Sequence, residues 1–128
     1  MSDPQTDGMR VAAIRGAAPA SNDADSILSA TEELMREIIA VNQLDPSQMV
    51  SAIFTTTEDL DAEFPAVAAR RMGLNEVPLM CAREIPVPGA MAGVIRVMLH
   101  TYLPAGVKAR HVYLGETRNL RVDLDAAQ

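Results

Sequence analysis

The chain has 128 residues, enough for one domain with one modest core, which excludes a multidomain enzyme or one built around a large cofactor. Apolar residues form 48% of the sequence and charged residues 22%, which argues against both disorder and a fibrous fold. The net charge of −6 argues against general binding to nucleic acids or anionic membranes, because both require a positively charged surface.

Arginine carries almost all of the positive charge, since the sequence has ten Arg and a single Lys, Lys108. Two interpretations remain open. The excess reflects a biased genome composition, or several guanidinium groups converge on an anionic small molecule. The second interpretation has a physical basis, because the planar guanidinium binds a carboxylate through two parallel hydrogen bonds.

Cysteine content and the chain ends favour a cytoplasmic domain with short tails. Cys81 is the single cysteine of the sequence, so it cannot form an internal disulfide, and the reducing cytoplasm is the expected compartment. No apolar run approaches the about 20 residues of a membrane span, and the first residues lack the features of a signal peptide. We expect a disordered tail over residues 1–8, a folded domain over 9–124 and a second tail over 125–128.

The first half of the domain predicts a strand, a helix and a strand. Arg10–Arg15 is short and apolar between two cations, typical of a strand that enters a loop at Gly16–Pro19. Ser21–Asp23 offers helix N-caps, and the apolar residues of Ile27–Val41 recur at spacings of three and four, which predicts an amphipathic helix. After the Asp-Pro break, the β-branched residues of Met49–Thr57 predict a second strand.

The second half predicts one more helix and three more strands. Phe64–Gly73 predicts a short helix, because Pro65 stands where a helix can begin and Gly73 is a typical helix stop signal. Val77–Cys81 reads as a third strand, and Ile85–Gly89 as a rigid loop with two prolines. Val94–Tyr102 alternates with a period of two, and Arg110–Leu114 is a last short strand.

These elements predict an α/β or α+β fold with a five-stranded mixed sheet and two helices on one of its faces. Two helices cover only one face of such a sheet. The other face must be solvated or, since the strands are so apolar, buried against another subunit.

Motifs for nucleophilic, metal or nucleotide chemistry are not found. A nucleophile would have to be Cys81 beside His100 or His111, but no nucleophile motif surrounds it, and a lone Cys at a strand end is more often a small buried hydrophobe. Two His and one Cys without paired ligand spacing do not indicate a metal site. No glycine-rich nucleotide loop is present, so we expect neither metal nor cofactor.

Polar residues at the predicted strand ends are the best candidates for a site: Arg15, Cys81, Glu84, Arg96, Tyr113 and Arg121. Most have an ordinary structural explanation, as surface charges, a loop carboxylate or a buried phenol with one hydrogen bond. Arg96 is harder to explain, because it interrupts an apolar strand. Burying an unpaired guanidinium costs several kcal/mol, so Arg96 requires a carboxylate partner in the protein or in a ligand.

At these residues the sequence resembles the small monofunctional chorismate mutases of the Bacillus (AroH) type. Each matching stretch alone is a weak signal, but the stretches occur in order and include the polar strand-end residues. They are Ile14–Ala17, Thr57–Ala66, Val77–Glu84, Ile95–Met98, Arg110–Leu114 and Leu120–Leu124.

The resemblance implies an isomerase that converts chorismate to prephenate without a cofactor, in phenylalanine and tyrosine biosynthesis. It also implies a homotrimer, a pseudo-α/β-barrel assembly with active sites at subunit interfaces. By position, the resemblance assigns catalysis to Arg96, Glu84, Arg15 and Tyr113. It assigns substrate binding to Arg15, Phe64, Ala66, Arg70, Leu79, Met80, Cys81, Glu84, Arg96, Tyr113, Leu120 and Arg121.

The roles implied by the resemblance fit a rearrangement that transfers no external proton. Arg96 would reach the ether oxygen and a substrate carboxylate, while Arg15 and Tyr113 hold the enolpyruvyl carboxylate. Glu84 and Cys81 would meet the ring hydroxyl. The sequence departs from the family pattern at Val67, where a lysine is expected, and at Met80, where a threonine is expected.

Two other functions remain as alternatives. One is an imine deaminase of the RidA type, which resembles this fold as a trimer with an interfacial Arg, although its C-terminal signature is not found in residues 110–124. The other is a non-catalytic trimer that binds carboxylate metabolites. Such a protein would bind prephenate and leave chorismate unchanged.

Overall fold

The computed structural model describes residues 8–120. The predicted tails therefore lie outside the described residues, apart from Gly8. The helices and strands are β1 (Met9–Pro19), α1 (Ala24–Asn42), β2 (Met49–Thr56), α2 (Ala66–Arg71), β3 (Leu79–Arg83), β4 (Val94–Pro104) and β5 (Val112–Tyr113). Short 3-10 turns follow α1 at Pro46–Gln48 and β5 at Gly115–Thr117.

The strands form one mixed sheet in the order β3-β2-β4-β1-β5. The central strand β4 pairs antiparallel with both β1 and β2. The outer strands are parallel to their neighbours, β3 to β2 and β5 to β1. This confirms the predicted five-stranded mixed sheet with helices.

The amphipathic helix predicted from the apolar spacing is α1. Its N-cap is Asp23, whose Oδ1 accepts a hydrogen bond from the Ser26 amide at 2.8 Å and so satisfies one free N–H of the first turn. Its C-cap is Gln43, which adopts a left-handed conformation with φ of 50°. The residues it buries follow the predicted spacing: Ile27, Thr31, Leu34, Met35 and Ile38.

The helices lie on one face of the sheet, where the main core forms. Helix α1 packs on β1, β4 and β5, and α2 packs on α1 and β3. Alternate residues of β4 point into this core, including Val97 and Leu99, whereas Arg96, Met98 and His100 are only partly buried. The period of two predicted for this strand is therefore confirmed.

The first strand is longer than predicted, because Gly16–Pro19 continues the ladder opposite Val94–Val97 instead of forming a loop. Gly16 allows close packing of α1 on β1. A Cβ at this position would lie 2.8 Å from Ile38 Cδ1, 3.0 Å from Leu34 Cδ1 and 3.2 Å from the Val112 carbonyl oxygen, so a larger residue would force the buried side chains of α1 to shift.

The third strand begins two residues later than predicted, at Leu79 instead of Val77. Pro78 has no N–H to donate, but its carbonyl accepts a hydrogen bond from the Ala52 amide at 3.0 Å. Regular pairing with β2 starts only after this proline and ends at the pair of Thr56 and Arg83. The predicted strand Arg110–Leu114 shortens to Val112–Tyr113. The Asn42 side chain bonds both backbone groups of Arg110, and the His111 side chain accepts from the Arg15 amide, so these groups do not join the ladder.

The loop after β2 is tied to the start of β4 through Asp59. Its Oδ1 accepts a hydrogen bond from the Gly93 amide at 3.2 Å. The Thr57 hydroxyl and this amide hold the pKa of Asp59 below its usual value. Within residues 8–120, no helix combines the length and the apolar character needed to cross a membrane.

Candidate functional site on the open face of the sheet

The sheet face opposite the helices, called here the open face, carries the polar residues singled out in the sequence. Because paired residues of neighbouring strands share a face, the register aligns one row across all five strands. That row runs Tyr113, Ala17, Arg96, Thr55 and Ala82, from β5 to β3. The charge inside the apolar strand β4 therefore lies near the centre of the open face.

The next row of the open face lies beside Arg96. Arg15 of β1 pairs with Met98 of β4, which pairs in turn with Ile53 of β2 and, through it, with Met80 of β3. The two rows place Arg15 and Arg96 on adjacent strands, each beside apolar side chains. Apolar surroundings strengthen the attraction between these guanidiniums and an anion.

Between these rows lies a cavity of about 380 Å³, within the size range of small-molecule sites. Two guanidiniums and one phenol reach it, and its walls are otherwise mostly apolar. Its lining residues are Arg15, Gly16, Ile53, Thr55, Arg96, Val97, Met98 and Tyr113. Such a cavity fits an anionic small molecule with an apolar body.

Glu84 is held against this cavity by an ion pair and a hydrogen bond. Arg96 Nε lies 3.1 Å from Glu84 Oε2, and the same oxygen accepts a hydrogen bond from the Thr55 hydroxyl at 2.7 Å. The Arg96 Nε atom is buried and makes no hydrogen bond with any of residues 8–120. Its 3.1 Å contact with Glu84 is therefore an ion pair held by charge attraction. The Arg96 side chain remains 40% exposed and that of Glu84 19% exposed, which leaves the guanidinium accessible to a ligand.

The structure thus brings together all four residues that the resemblance assigns to catalysis. Arg15, Arg96 and Tyr113 line the cavity, and Glu84 contacts Arg96. The sequence reasoning missed Thr55, Ile53 and Met98. The alternation of Met49–Thr57 was the available signal for the two β2 residues, but the register between β2 and β4 was needed to align them with Arg96.

Other predicted binding residues lie outside this cavity. Phe64 and Cys81 line a second cavity of about 310 Å³, beside Pro65 and Arg83. The two cavities share no lining residue. Phe64 is 66% exposed, and its loop is fixed by Asn22, whose Oδ1 accepts hydrogen bonds from the amides of residues 61 and 62.

The remaining predicted wall residues are divided between the two faces of the sheet. Met80 lies on the open face and is 62% exposed. Leu79 and Ala66 pack against the core and do not line this cavity, and their role in substrate binding stays a prediction. Strand alternation explains Leu79, because its β2 partner is the buried Ala52.

The last three predicted binding residues are Arg70, Leu120 and Arg121. Arg70 is exposed on α2 and Leu120 is partly buried at the end of the described residues. Arg121 lies outside the described residues. No group of three or more His, Cys, Asp or Glu side chains within residues 8–120 is arranged to hold a metal ion.

Comparisons with known proteins identify the family. A family model described as chorismate mutase type I matches residues 11–124. The chain is 44% identical over 122 residues to chorismate mutase AroH of Thermus thermophilus, and the match covers 92% of this chain and 99% of that protein. It is 38% identical over 120 residues to chorismate mutase AroH of Bacillus subtilis, and this match covers 91% of this chain and 94% of that protein.

A solved structure is similar as well. A chorismate mutase from Clostridium thermocellum superposes with a TM-score of 0.81 at 44% identity, covering 84% of this chain and 98% of that chain. These relatives do not favour an imine deaminase or a non-catalytic binding domain. The matched length and the identities lead to one conclusion: the chain belongs to the type I chorismate mutase family.

Proposed function

We propose that this chorismate mutase isomerises chorismate to prephenate, on the way to phenylalanine and tyrosine, in the cavity of the open face. Family membership supports the activity. The observation that carries the location is the pair Arg15 and Arg96 in one cavity with Tyr113, because two guanidiniums and a phenol match a substrate with two carboxylates.

The reaction is an intramolecular [3,3] rearrangement, in which the C–O bond of the ether breaks as a C–C bond forms, with no external proton transfer. One task of the protein is to hold the enolpyruvyl side chain over the ring, a contribution of proximity and orientation. Arg15 and Tyr113 would hold the enolpyruvyl carboxylate for this purpose. Both belong to adjacent strands at one edge of the sheet, which fixes their spacing.

The second task is to stabilise charge that develops in the transition state. C–O cleavage runs ahead of C–C formation, so the ether oxygen becomes negative and the ring positive. Arg96 would donate to the ether oxygen, and a donor that is already oriented stabilises the transition state more than the ground state. Glu84 orients Arg96 through the 3.1 Å contact and would place a negative charge near the ring.

We further propose that the site is completed by a second copy of the chain within a homotrimer. Phe64, Met80 and Cys81 lie outside the cavity that holds Arg96, although the resemblance assigns all of them to one pocket. The exposed apolar side chains of the open face, including Val11 and Ile53, support burial against another subunit. We also propose the cytoplasm as the compartment, in keeping with the single Cys81.

Subunit mixing tests the shared site. Arg96→Ala removes the cationic half of each site, and Phe64→Asp adds a repelling charge to the other half. Each variant alone should show little chorismate turnover. If the halves come from adjacent subunits, a refolded one-to-one mixture has about a quarter of its sites intact, and about a quarter of wild-type activity should return.

The same experiment has outcomes that would contradict the shared site, the assembly or the function. Native mass spectrometry of the mixture verifies that mixed trimers form. Mixed trimers without recovered activity would contradict a site shared between subunits, and full activity in a monomer would contradict the assembly. Chorismate turnover absent from the wild-type protein would contradict the function itself.

A further inference from the structure

His111 makes an unusual contact with the backbone of a site residue. The amide N–H of Arg15 donates to Nδ1 of the His111 imidazole at 3.0 Å. The ladder between β1 and β5 pairs only Gly16 with Val112 and Ala17 with Tyr113. The His111 side chain therefore extends this seam by one residue and supplies an acceptor that no backbone carbonyl of β5 provides.

The residue before His111 is held by a second side chain. Asn42, the last residue of α1, accepts a hydrogen bond from the Arg110 amide at 2.8 Å and donates one to the Arg110 carbonyl at 2.9 Å. Its Nδ2 also donates to the Ile38 carbonyl at 3.0 Å. Asn42 thus binds both backbone groups of Arg110 and fixes the start of β5 against the helix.

These contacts lie close along the chain to the two residues assigned to the enolpyruvyl carboxylate. Arg15 is on β1, and Tyr113 is on β5, two residues after His111. The ladder pairs only two residues, and the Leu114 amide adds one bond to the Ala17 carbonyl at 2.9 Å, so side-chain contacts are a large share of what holds this seam. An error of about 1 Å in a positioning group lowers activity substantially.

We propose that His111 and Asn42 are positioning residues, which hold the Arg15 and Tyr113 ends of the β1–β5 seam in register for binding the substrate carboxylate. Neither residue touches the substrate in this proposal; both act through the backbone. Because Nδ1 accepts from an amide, it carries no proton in this arrangement. The inference rests on the proposed role of Arg15 in substrate binding.

The test compares His111→Leu, which removes the acceptor, with His111→Asn, whose Oδ1 supplies an acceptor near the position of Nδ1. The carboxylate is held in the bound, already folded substrate as well as in the transition state, so weaker holding raises KM more than it lowers kcat. We expect His111→Leu to raise the KM for chorismate about tenfold with kcat within about threefold. His111→Asn should restore KM to within about threefold of wild type.

Arg15→Ala separates this inference from the proposed function. In the Arg15→Ala background, His111→Leu should raise KM by a smaller factor than it does in the wild-type chain, because Tyr113 is then the only one of the two groups left to position. If Arg15→Ala leaves KM unchanged, the proposed role of Arg15 is wrong. If Arg15→Ala raises KM but His111→Leu does not, or if His111→Asn is as impaired as His111→Leu, the positioning role is wrong.

Asn42→Ala provides a second variant in case His111→Leu does not fold. It removes both bonds to Arg110 and leaves the imidazole in place. We expect the same pattern, a raised KM with little change in kcat. A folded Asn42→Ala protein with wild-type KM would overturn the proposal for the pair.

Discussion

Replacing Arg96 with alanine should abolish most of the catalysis while preserving the fold. Arg96 lies within the ladder, between Ala17 of β1 and Thr55 of β2, and alanine keeps this backbone pairing. Its side chain is 40% exposed, so truncation removes little buried packing. The main losses are the guanidinium in the cavity and the partner of Glu84.

The magnitude follows from the charge on the ether oxygen. At an effective dielectric constant of about 20, a guanidinium about 3 Å from half of a unit charge contributes about 3 kcal/mol. Loss of one oriented donor from an oxyanion site typically costs about 3–4 kcal/mol. Both figures correspond to a decrease in kcat of roughly 10²- to 10³-fold. Glu84 already holds Arg96 before substrate binds, so little of this stabilisation is lost to reorganisation.

The assay is the initial rate of chorismate loss at saturating substrate, with circular dichroism to verify folding. Arg36→Ala is the matched control, because its guanidinium pairs with Glu32 on the exposed surface of α1; its kcat should stay within about twofold of wild type. Arg96→Lys keeps the charge without the planar fork and should fall between the two. A folded Arg96→Ala protein with more than about a tenth of wild-type kcat would refute the role of Arg96.

Three further predictions follow from the fold and the chemistry. Because the rearrangement transfers no external proton, kcat should be nearly constant from about pH 6 to pH 9, and a bell-shaped profile would indicate acid–base catalysis. Gly16→Ala should lower the free energy of unfolding by about 1–3 kcal/mol in urea denaturation, because the added Cβ meets Ile38 at 2.8 Å; unchanged stability would contradict the close packing of α1. The pKa of Asp59 is lowered by Thr57 and Gly93, so its stabilising contribution is present above the unfolded value of 3.8 and is lost as pH falls through the folded pKa. Asp59→Asn should therefore flatten the decrease of Tm in that acidic range, and a slope equal to wild type would contradict this contribution.

The sequence was sufficient for elements whose pattern is local. The spacing of apolar residues in Ile27–Val41 predicted α1, and the alternation of Val94–Tyr102 predicted β4 with Arg96 on the less buried face. The same alternation identified Arg96 as a charge that needs a partner, and Glu84 is that partner. Local periodicity is reliable here because, within one chain, each of these elements packs on one face only.

The parts that could not be predicted depend on contacts between distant residues. Gly16 has the local signature of a turn, but its role is set by the approach of Ile38 and Leu34. Similarly, Arg110 and His111 look like strand residues, yet Asn42 and the His111 side chain take over the backbone bonds there.

Register was the other missing information. A bulge between Met49 and Ser51 shifts the pairing of β2 with β4, so spacing along the chain does not show that Thr55 lies opposite Arg96. The resemblance named Leu79 as a wall residue, but the register with Ala52 turns it toward the core. The sequence and the resemblance therefore predicted the charged residues and the phenol at this cavity, whereas the sheet geometry added Thr55, Ile53 and Met98.

The most direct test of the account is one measurement on the purified wild-type protein: simultaneous NMR detection of chorismate loss and prephenate formation, in buffer with a chelator and no added cofactor. The account predicts saturable conversion, with one prephenate formed for each chorismate consumed. Chorismate that disappears no faster than in buffer alone, or that yields a product other than prephenate, would contradict it.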